Sequence, residues 1–203
     1  KGAYEVSSYL NKNEVDIIFL HSATYFTSDV ALKIHQLCSA PVVILNLQPS
    51  PQINYDTTDT GEWLAQCIAC PIPEVSNAFE RANIKFRCIN GLLGLDYTPD
   101  IAKSNEITND RKEAIKAWNE IEEWVKAAYV KSSLNKANFG FLGDYYSGML
   151  DMYSDFTQLS AQVGIHVETL EMCDLDEMMK NISEEEIKNK LDQIKSTFEI
   201  SEG

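Results

Sequence analysis

The chain has 203 residues, 44% of them hydrophobic, and a formal net charge of −14. That is enough chain and enough apolar content for one large or two small globular domains with a real core. The acid surplus argues against a nucleic-acid partner, which needs a basic surface, and against an anionic membrane surface.

The longest apolar runs, around 15–20 and 41–47, are too short to span a bilayer. The opening KGAYEVSSYL has neither the apolar stretch nor the cleavage site of a signal peptide. Ala3 to Leu10 reads as a short helix anchored by Tyr4 and Leu10. A start at Lys1, in mid-helix, reads as an excised piece of something longer. Val15 to Leu20 is expected to be a buried strand. Thr27 or Ser28 would cap a helix through Leu37, with Val30, Leu32, Ile34 and Leu37 as its apolar residues. VVILNL after Pro41 is a second strand, which makes a βαβ unit of the parallel kind.

The polar loop 48–62 is of a length usually tied to function or mobility. A helix from Glu62 to about Cys70 follows, broken and restarted by Pro71 and Pro73, with Val75, Ala78, Phe79 and Ala82 inward. Ile84 to Ile89 alternates as a third strand ended by Asn90-Gly91, and 91–107 is irregular. A long helix is expected from about Asn109 to Asn135, with a buried stripe of Ala114, Trp118, Ile121, Val125 and Ala128. Its length suits a bridge between two sub-domains, divided as 1–107 and 108–203. Asn138 to Leu142 reads as a buried parallel strand. Met149, Met152, Tyr153, Phe156, Leu159 and Val163 read as the core face of one helix stopped by Gly164. Ile165 to Leu170 alternates as a strand. Asp174 opens one last helix, and Ser183 to Glu186 is a capping box for another, with Ile187, Leu191, Ile194 and Phe198 inward. The fold class expected is α/β, with parallel-sheet, Rossmann-like sub-domains in three α/β/α layers.

Ligands of open parallel sheets gather at the carboxyl ends of the strands. His21 follows the first strand there. It is open to two readings, a polar contact to substrate or a loop histidine bonded to backbone. Asp56, Asp59 and Glu62 lie on the long polar loop, where they either meet hydroxyl groups or are simply solvated. Asp144, Tyr145 and Tyr146 follow a strand and precede a helix; carboxylate, phenol and aromatic faces suit polyols, although Asp144 also suits a helix cap. His166 and Glu168 share a strand face but lack the third and fourth ligands of a tight metal site. Five cysteines, at 38, 67, 70, 88 and 173, form an odd set that reads as reduced thiols, so a cytoplasmic location is expected. Cys67 and Cys70, on a helix between apolar residues, read as two reduced, mostly buried thiols.

Gly143-Asp144, Met149 to Asp155, Gln162-Val163-Gly164-Ile165 and Val167 to Leu175 resemble the second N-terminal domain of the L-arabinose and L-fucose isomerase family. Asp16 to Tyr25 is similar to a strand and loop of that family's first domain. The resemblance implies a metal-dependent aldose–ketose isomerase, commonly using manganese, whose catalytic ligands lie in a segment following one like this. Nothing in this sequence matches those ligands, so no cofactor is expected in the chain itself, and it is expected to be inactive alone. Substrate-side residues by position would be His21, Asp56, Asp144, Tyr145 and Tyr146. The implied partners are a small sugar, the chain's own C-terminal catalytic domain and further copies in a homo-oligomer. Thr60 stands where the arabinose isomerases carry a His before a Gly, and Ser22-Ala23 where they carry an aromatic, which points to a divergent substrate. The reading from another class is a stand-alone α/β sugar-binding or sensor module.

Overall fold

The computed structural model describes residues 2–98, 106–143 and 145–200. It is a mixed α/β chain, about half helix, with short parallel strands in two small sheets. By contact the chain divides into Lys1–Ser132 and Ser133–Gly203.

The first unit begins with helix α1 (Gly2–Lys12), strand β1 (Ile18–His21) and helix α2 (Ser28–Gln36). Strand β2 (Val42–Gln48), helix α3 (Thr60–Ala65), a 3₁₀ turn at Cys67–Ala69 and helix α4 (Ile72–Arg81) follow. Strand β3 (Phe86–Leu92) and the long helix α5 (Lys112–Asn135) come next. The strands are parallel in the order β1-β2-β3, with Leu20 opposite Ile44 and Ile44 opposite Cys88. Because β2 is central, its side chains alternate between two buried faces. Val42 and Ile44 pack with Ala31 of α2 and with Val75 and Phe79 of α4. Val43 and Leu47 pack with Ile89 and with Ala117 of α5. Burying side chains of this size contributes about 1.5–3 kcal/mol each, so β2 is the strand this unit depends on most.

The α5 stripe differs from the expected one. Ala114 and Ala117 are buried and Ile121 and Trp124 pack on the sheet, whereas Trp118 and Val125 are exposed. The cause lies in β3. A Cβ at Gly91 would come within 2.6 Å of the Glu113 carbonyl oxygen and 2.8 Å of the Ala117 Cβ. The backbones approach so closely that only alanine fits beneath them, which turns the larger Trp118 aside. Its indole N–H still donates to the Leu93 carbonyl at 2.8 Å. The helix that was to open the second sub-domain at 108 is thus anchored on the first sheet, and the contact division falls after Ser132 instead of at 107. Asn90 and Gly91 lie inside β3 and do not end it. On α2 the buried residues are Ala31 and His35, and Val30 and Leu37 are exposed.

The second unit holds strand β4 (Asn138–Leu142), a 3₁₀ turn at Leu150–Met152, helix α6 (Phe156–Val163) and strand β5 (His166–Leu170). Helices α7 (Met172–Lys180) and α8 (Glu184–Thr197) complete it. β4 and β5 pair in parallel with Asn138 opposite His166. The helix expected over 149–163 is broken: Asp155 caps α6 by accepting the Gln158 N–H at 2.9 Å, and Met149, Met152 and Tyr153 are exposed. Gly164, at φ +86, ends α6 in the left-handed region as expected. β4 is also more exposed than a buried strand should be. Among the described residues of this unit only Ile165 is buried. Phe141 against Phe156, with ring centroids 5.4 Å apart, is its clearest apolar contact.

Candidate functional site

The carboxyl ends of β1, β2 and β3 carry the most organised polar side chains of the first unit. On the α2–α4 face, β2 runs Val42, Ile44 and then Asn46, while β3 runs Phe86, Cys88 and then Asn90. Both strands therefore change from apolar to amide at the same level, since Asn46 stands directly opposite Asn90. The Asn46 amide N–H donates to Asn90 Oδ1 at 2.8 Å, and the Gln48 amide donates to Asn46 Oδ1 at 3.0 Å. Among the described residues this leaves the Asn90 amide donor at one end of the row and the Gln48 amide oxygen at the other. A row ending in one donor and one acceptor, all uncharged, matches neutral hydroxylated ligands. Cys88 lies below it, with Sγ 3.8 Å from Asn90 Oδ1. Burial first, and then the Glu120 carboxylate, push its thiol pKa up, against a smaller opposing pull from Arg87, so it is no activated nucleophile.

Elsewhere in the first unit, Glu74 at the start of α4 accepts the Ser28 backbone N–H at 2.8 Å, capping α2 from a neighbouring helix. It also accepts the Tyr25 hydroxyl at 3.0 Å. The bond from Ser28 holds the Glu74 carboxyl below its usual range, and the bond to Glu74 raises the Tyr25 phenol. Thr27, one of the two expected caps, stands at the cap position but spends its hydroxyl on Asp29 at 2.5 Å and makes no capping bond. Ser22 is buried, with its hydroxyl donating to the Thr24 carbonyl at 2.7 Å.

The expected site residues fall in two places. His21 is the last residue of β1, exposed and opposite Leu45, which puts it on the α5 face and away from the amide row. Asp56 is exposed in a turn organised by Asn54, whose Oδ1 accepts the Asp56 N–H at 3.1 Å and whose carbonyl accepts the Thr58 N–H at 2.9 Å. Asp59, exposed, caps α3 by accepting the Glu62 N–H at 2.9 Å, whereas Glu62 is fully buried and is no solvated loop carboxylate. Tyr145 and Tyr146, in the second unit, are 41% and 69% exposed, and Tyr145 meets Tyr153 edge-on at 5.6 Å. Asp144 lies outside the described residues. Asn46, Gln48, Asn90 and Glu74 went unnoticed in the sequence. The signal for the amides was an asparagine at the same offset in the two strand runs VVILNLQ and FRCINGL.

One expectation is overturned. Cys67 and Cys70 are joined as a disulfide, with Cα atoms 5.2 Å apart, and only Cys67 is buried. The helix taken to run through Cys70 stops at Ala65 and tightens into a 3₁₀ turn. In that geometry residues three apart eclipse, which brings the two sulfurs together. Cys38, Cys88 and Cys173 are free.

His166 and Glu168 share a face of β5, but Asn138 and Gly140 stand opposite them, and no group of three or more His, Cys, Asp or Glu residues is poised to hold an ion among the described residues. No described helix is long and apolar enough to cross a membrane. No protein-family model matches the chain, and no curated protein matches its sequence.

Proposed function

We propose that this chain is the substrate-side and oligomer-forming N-terminal portion of an aldose–ketose isomerase of the L-arabinose and L-fucose isomerase kind, with Rossmann-like, three-layer sub-domains. Catalysis and the metal, manganese by the resemblance, would belong to a portion outside this sequence. The chain's own work is binding. The observation that carries this reading is the amide row Gln48–Asn46–Asn90 at the carboxyl ends of parallel strands. Such a row offers a donor and an acceptor to the hydroxyls of a neutral sugar and has no charge to repel an uncharged ligand. His21 and Asp56 in the first unit and, separately, Tyr145 and Tyr146 in the second are exposed polar and aromatic side chains. The residues of the row hold hydrogen bonds and move no proton, so this part of the site orients substrate and performs no chemical step.

The same feature equally suits a stand-alone sugar-binding module, because amides bind without reacting. Two measurements separate the readings. Amide-detected NMR during titration with L-arabinose and L-fucose should shift the side-chain resonances of Asn46, Gln48 and Asn90. Asn90→Leu should weaken any binding about tenfold, the scale of one or two lost hydrogen bonds. Silence of all three amides at high sugar concentration sinks both readings. The coding sequence after Gly203 then decides between them. A reading frame continuing into Glu and His ligands supports the isomerase, and an immediate stop codon supports the binding module.

A further inference from the structure

The Cys67–Cys70 disulfide joins residues only three apart, within the connection from α3 to α4. A bond that closes so small a loop takes little freedom from the unfolded chain, so as a staple it contributes at the small end of the usual range. It ties no strand to another strand and no helix to the sheet. Its two ends stand in different surroundings. Cys67 is 5% exposed, next to the buried Ile68, in a turn that packs against β2. Cys70 is exposed and stands two residues before α4, whose positive dipole end favours a thiolate there. The turn does not depend on the sulfurs for its shape. The Cys70 backbone N–H donates to the Cys67 carbonyl at 3.2 Å, and the Gln66 side-chain amide donates to the buried Ser50 hydroxyl.

We propose that Cys67 and Cys70 form a thiol–disulfide exchange site, with Cys70 as the sulfur that reacts with a low-molecular-weight thiol and Cys67 as its buried partner. In the oxidised chain, the thiolate of the small molecule attacks Cys70 Sγ. A sulfur–sulfur bond forms between them, the Cys67–Cys70 bond breaks, and its electron pair leaves on Cys67 Sγ, which takes a proton from solvent. A second small thiolate then attacks the first one's sulfur in this mixed disulfide. It departs as the small disulfide and releases Cys70 as the thiolate. Two small thiols are oxidised to one disulfide while the protein bond is reduced to two thiols, a transfer of two electrons. In the reverse direction the Cys70 thiolate attacks the small disulfide and expels one small thiolate. Cys67 then attacks Cys70 Sγ, expels the second and closes the bond. Access selects the protein sulfur that is attacked, since Cys70 is open to solvent and Cys67 is not. The backbone turn keeps the two residues adjacent in the reduced chain, so the bond can close again. This site holds or fails independently of sugar binding.

The wild-type chain is equilibrated without denaturant in buffers of varied reduced and oxidised glutathione, alkylated, and mapped by peptide mass spectrometry. Thiols at 67 and 70 should appear together under millimolar reduced glutathione and vanish together when the oxidised form is restored. Circular dichroism should report the same helix content at both ends of the titration. Trapping then separates the roles of the two sulfurs, in a Cys173→Ser background that removes the exposed free thiol. With oxidised glutathione, Cys67→Ser should accumulate a mixed disulfide on Cys70, about tenfold faster or more than Cys70→Ser accumulates one on Cys67. A bond that resists glutathione until urea unfolds the chain overturns the proposal, because it is then a structural staple. Equal trapping on both cysteines in folded variants, or two free thiols in every buffer, overturns it as well. The wild-type titration decides even where a variant fails to fold.

Discussion

The two sheets of this protein are built from the same local material and end in different states. Both are parallel, both have glycine at decisive places, and both carry well-capped helices. The first sheet has three strands, and its central strand buries Val42, Ile44, Val43 and Leu47 alternately on two covered faces. In the second, two strands leave no central strand, and Ile165 alone is buried among the described residues. The difference is one of layers. A strand flanked on both sides and covered on both faces turns every apolar side chain into stability, whereas a two-stranded ribbon has too little neighbouring surface to do so.

The largest test of this contrast removes one ring from each region. Phe79 is fully buried, with Phe86 edge-on at 5.8 Å and His35 at 5.1 Å. Phe79→Ala should destabilise the first unit by about 3–5 kcal/mol. Phe156→Ala, which loses mainly the Phe141 ring contact, should cost about 1 kcal/mol. All three tryptophans, at 63, 118 and 124, lie in the first unit, so tryptophan fluorescence during urea unfolding reads Phe79→Ala, while amide hydrogen exchange through α6 and β5 reads Phe156→Ala. Equal shifts for the two variants would break the comparison.

A second test uses acid. His35 is buried against Phe79, and its Nδ1 has no hydrogen-bond partner among the described residues. Burial lowers its pKa from 6.5 to about 4. Between those values the unfolded chain binds a proton that the folded chain refuses. Stability conferred by a neutral His35 is therefore complete above pH 6.5 and falls as the pH drops towards 4, by up to about 3 kcal/mol. His35→Leu should flatten that part of the profile. Glu74, whose pKa is lowered, contributes in the same direction but in a lower window, below its usual 4.5. Tryptophan-monitored urea midpoints across pH 7 to 4 check this, and an unchanged slope in His35→Leu removes the assignment.

How much of this was legible from residues alone follows the same division. Periodicity and caps located the elements, because those signals are local: Gly164 and the Ser183–Glu186 box stand where the sequence placed them. Burial was not legible in the second unit, since Ile187 and Leu191 look inward-facing in any helical projection whether or not something covers them. In the first unit the α5 stripe was displaced by a non-local fact, the close approach at Gly91, and the cysteine pairing by a change of helix type at Gln66. The amide row was written in the sequence as polar residues at matched offsets, but reading it required the register of β2 on β3. His21 was placed correctly in sequence, at the end of its strand, while the face it occupies depended on the same register.

The smallest effect is the most diagnostic of how independently the second unit behaves. Gly164 holds φ +86, and a Cβ there would collide with the side-chain oxygen of Asn135. Gly164→Ala carries both a left-handed backbone cost of about 1–2 kcal/mol and that collision. Pairing it with Asn135→Ala relieves the collision and leaves the backbone term. Both residues belong to the second unit, whose helices bury no side chain. The loss should therefore emerge as faster amide hydrogen exchange through α6 and β5, with the double variant exchanging more slowly than Gly164→Ala alone. The tryptophan-monitored midpoint of the first unit should stay in place. A parallel fall in that midpoint would mean that the two units unfold together, and that the thin second sheet takes its stability from the rest of the chain.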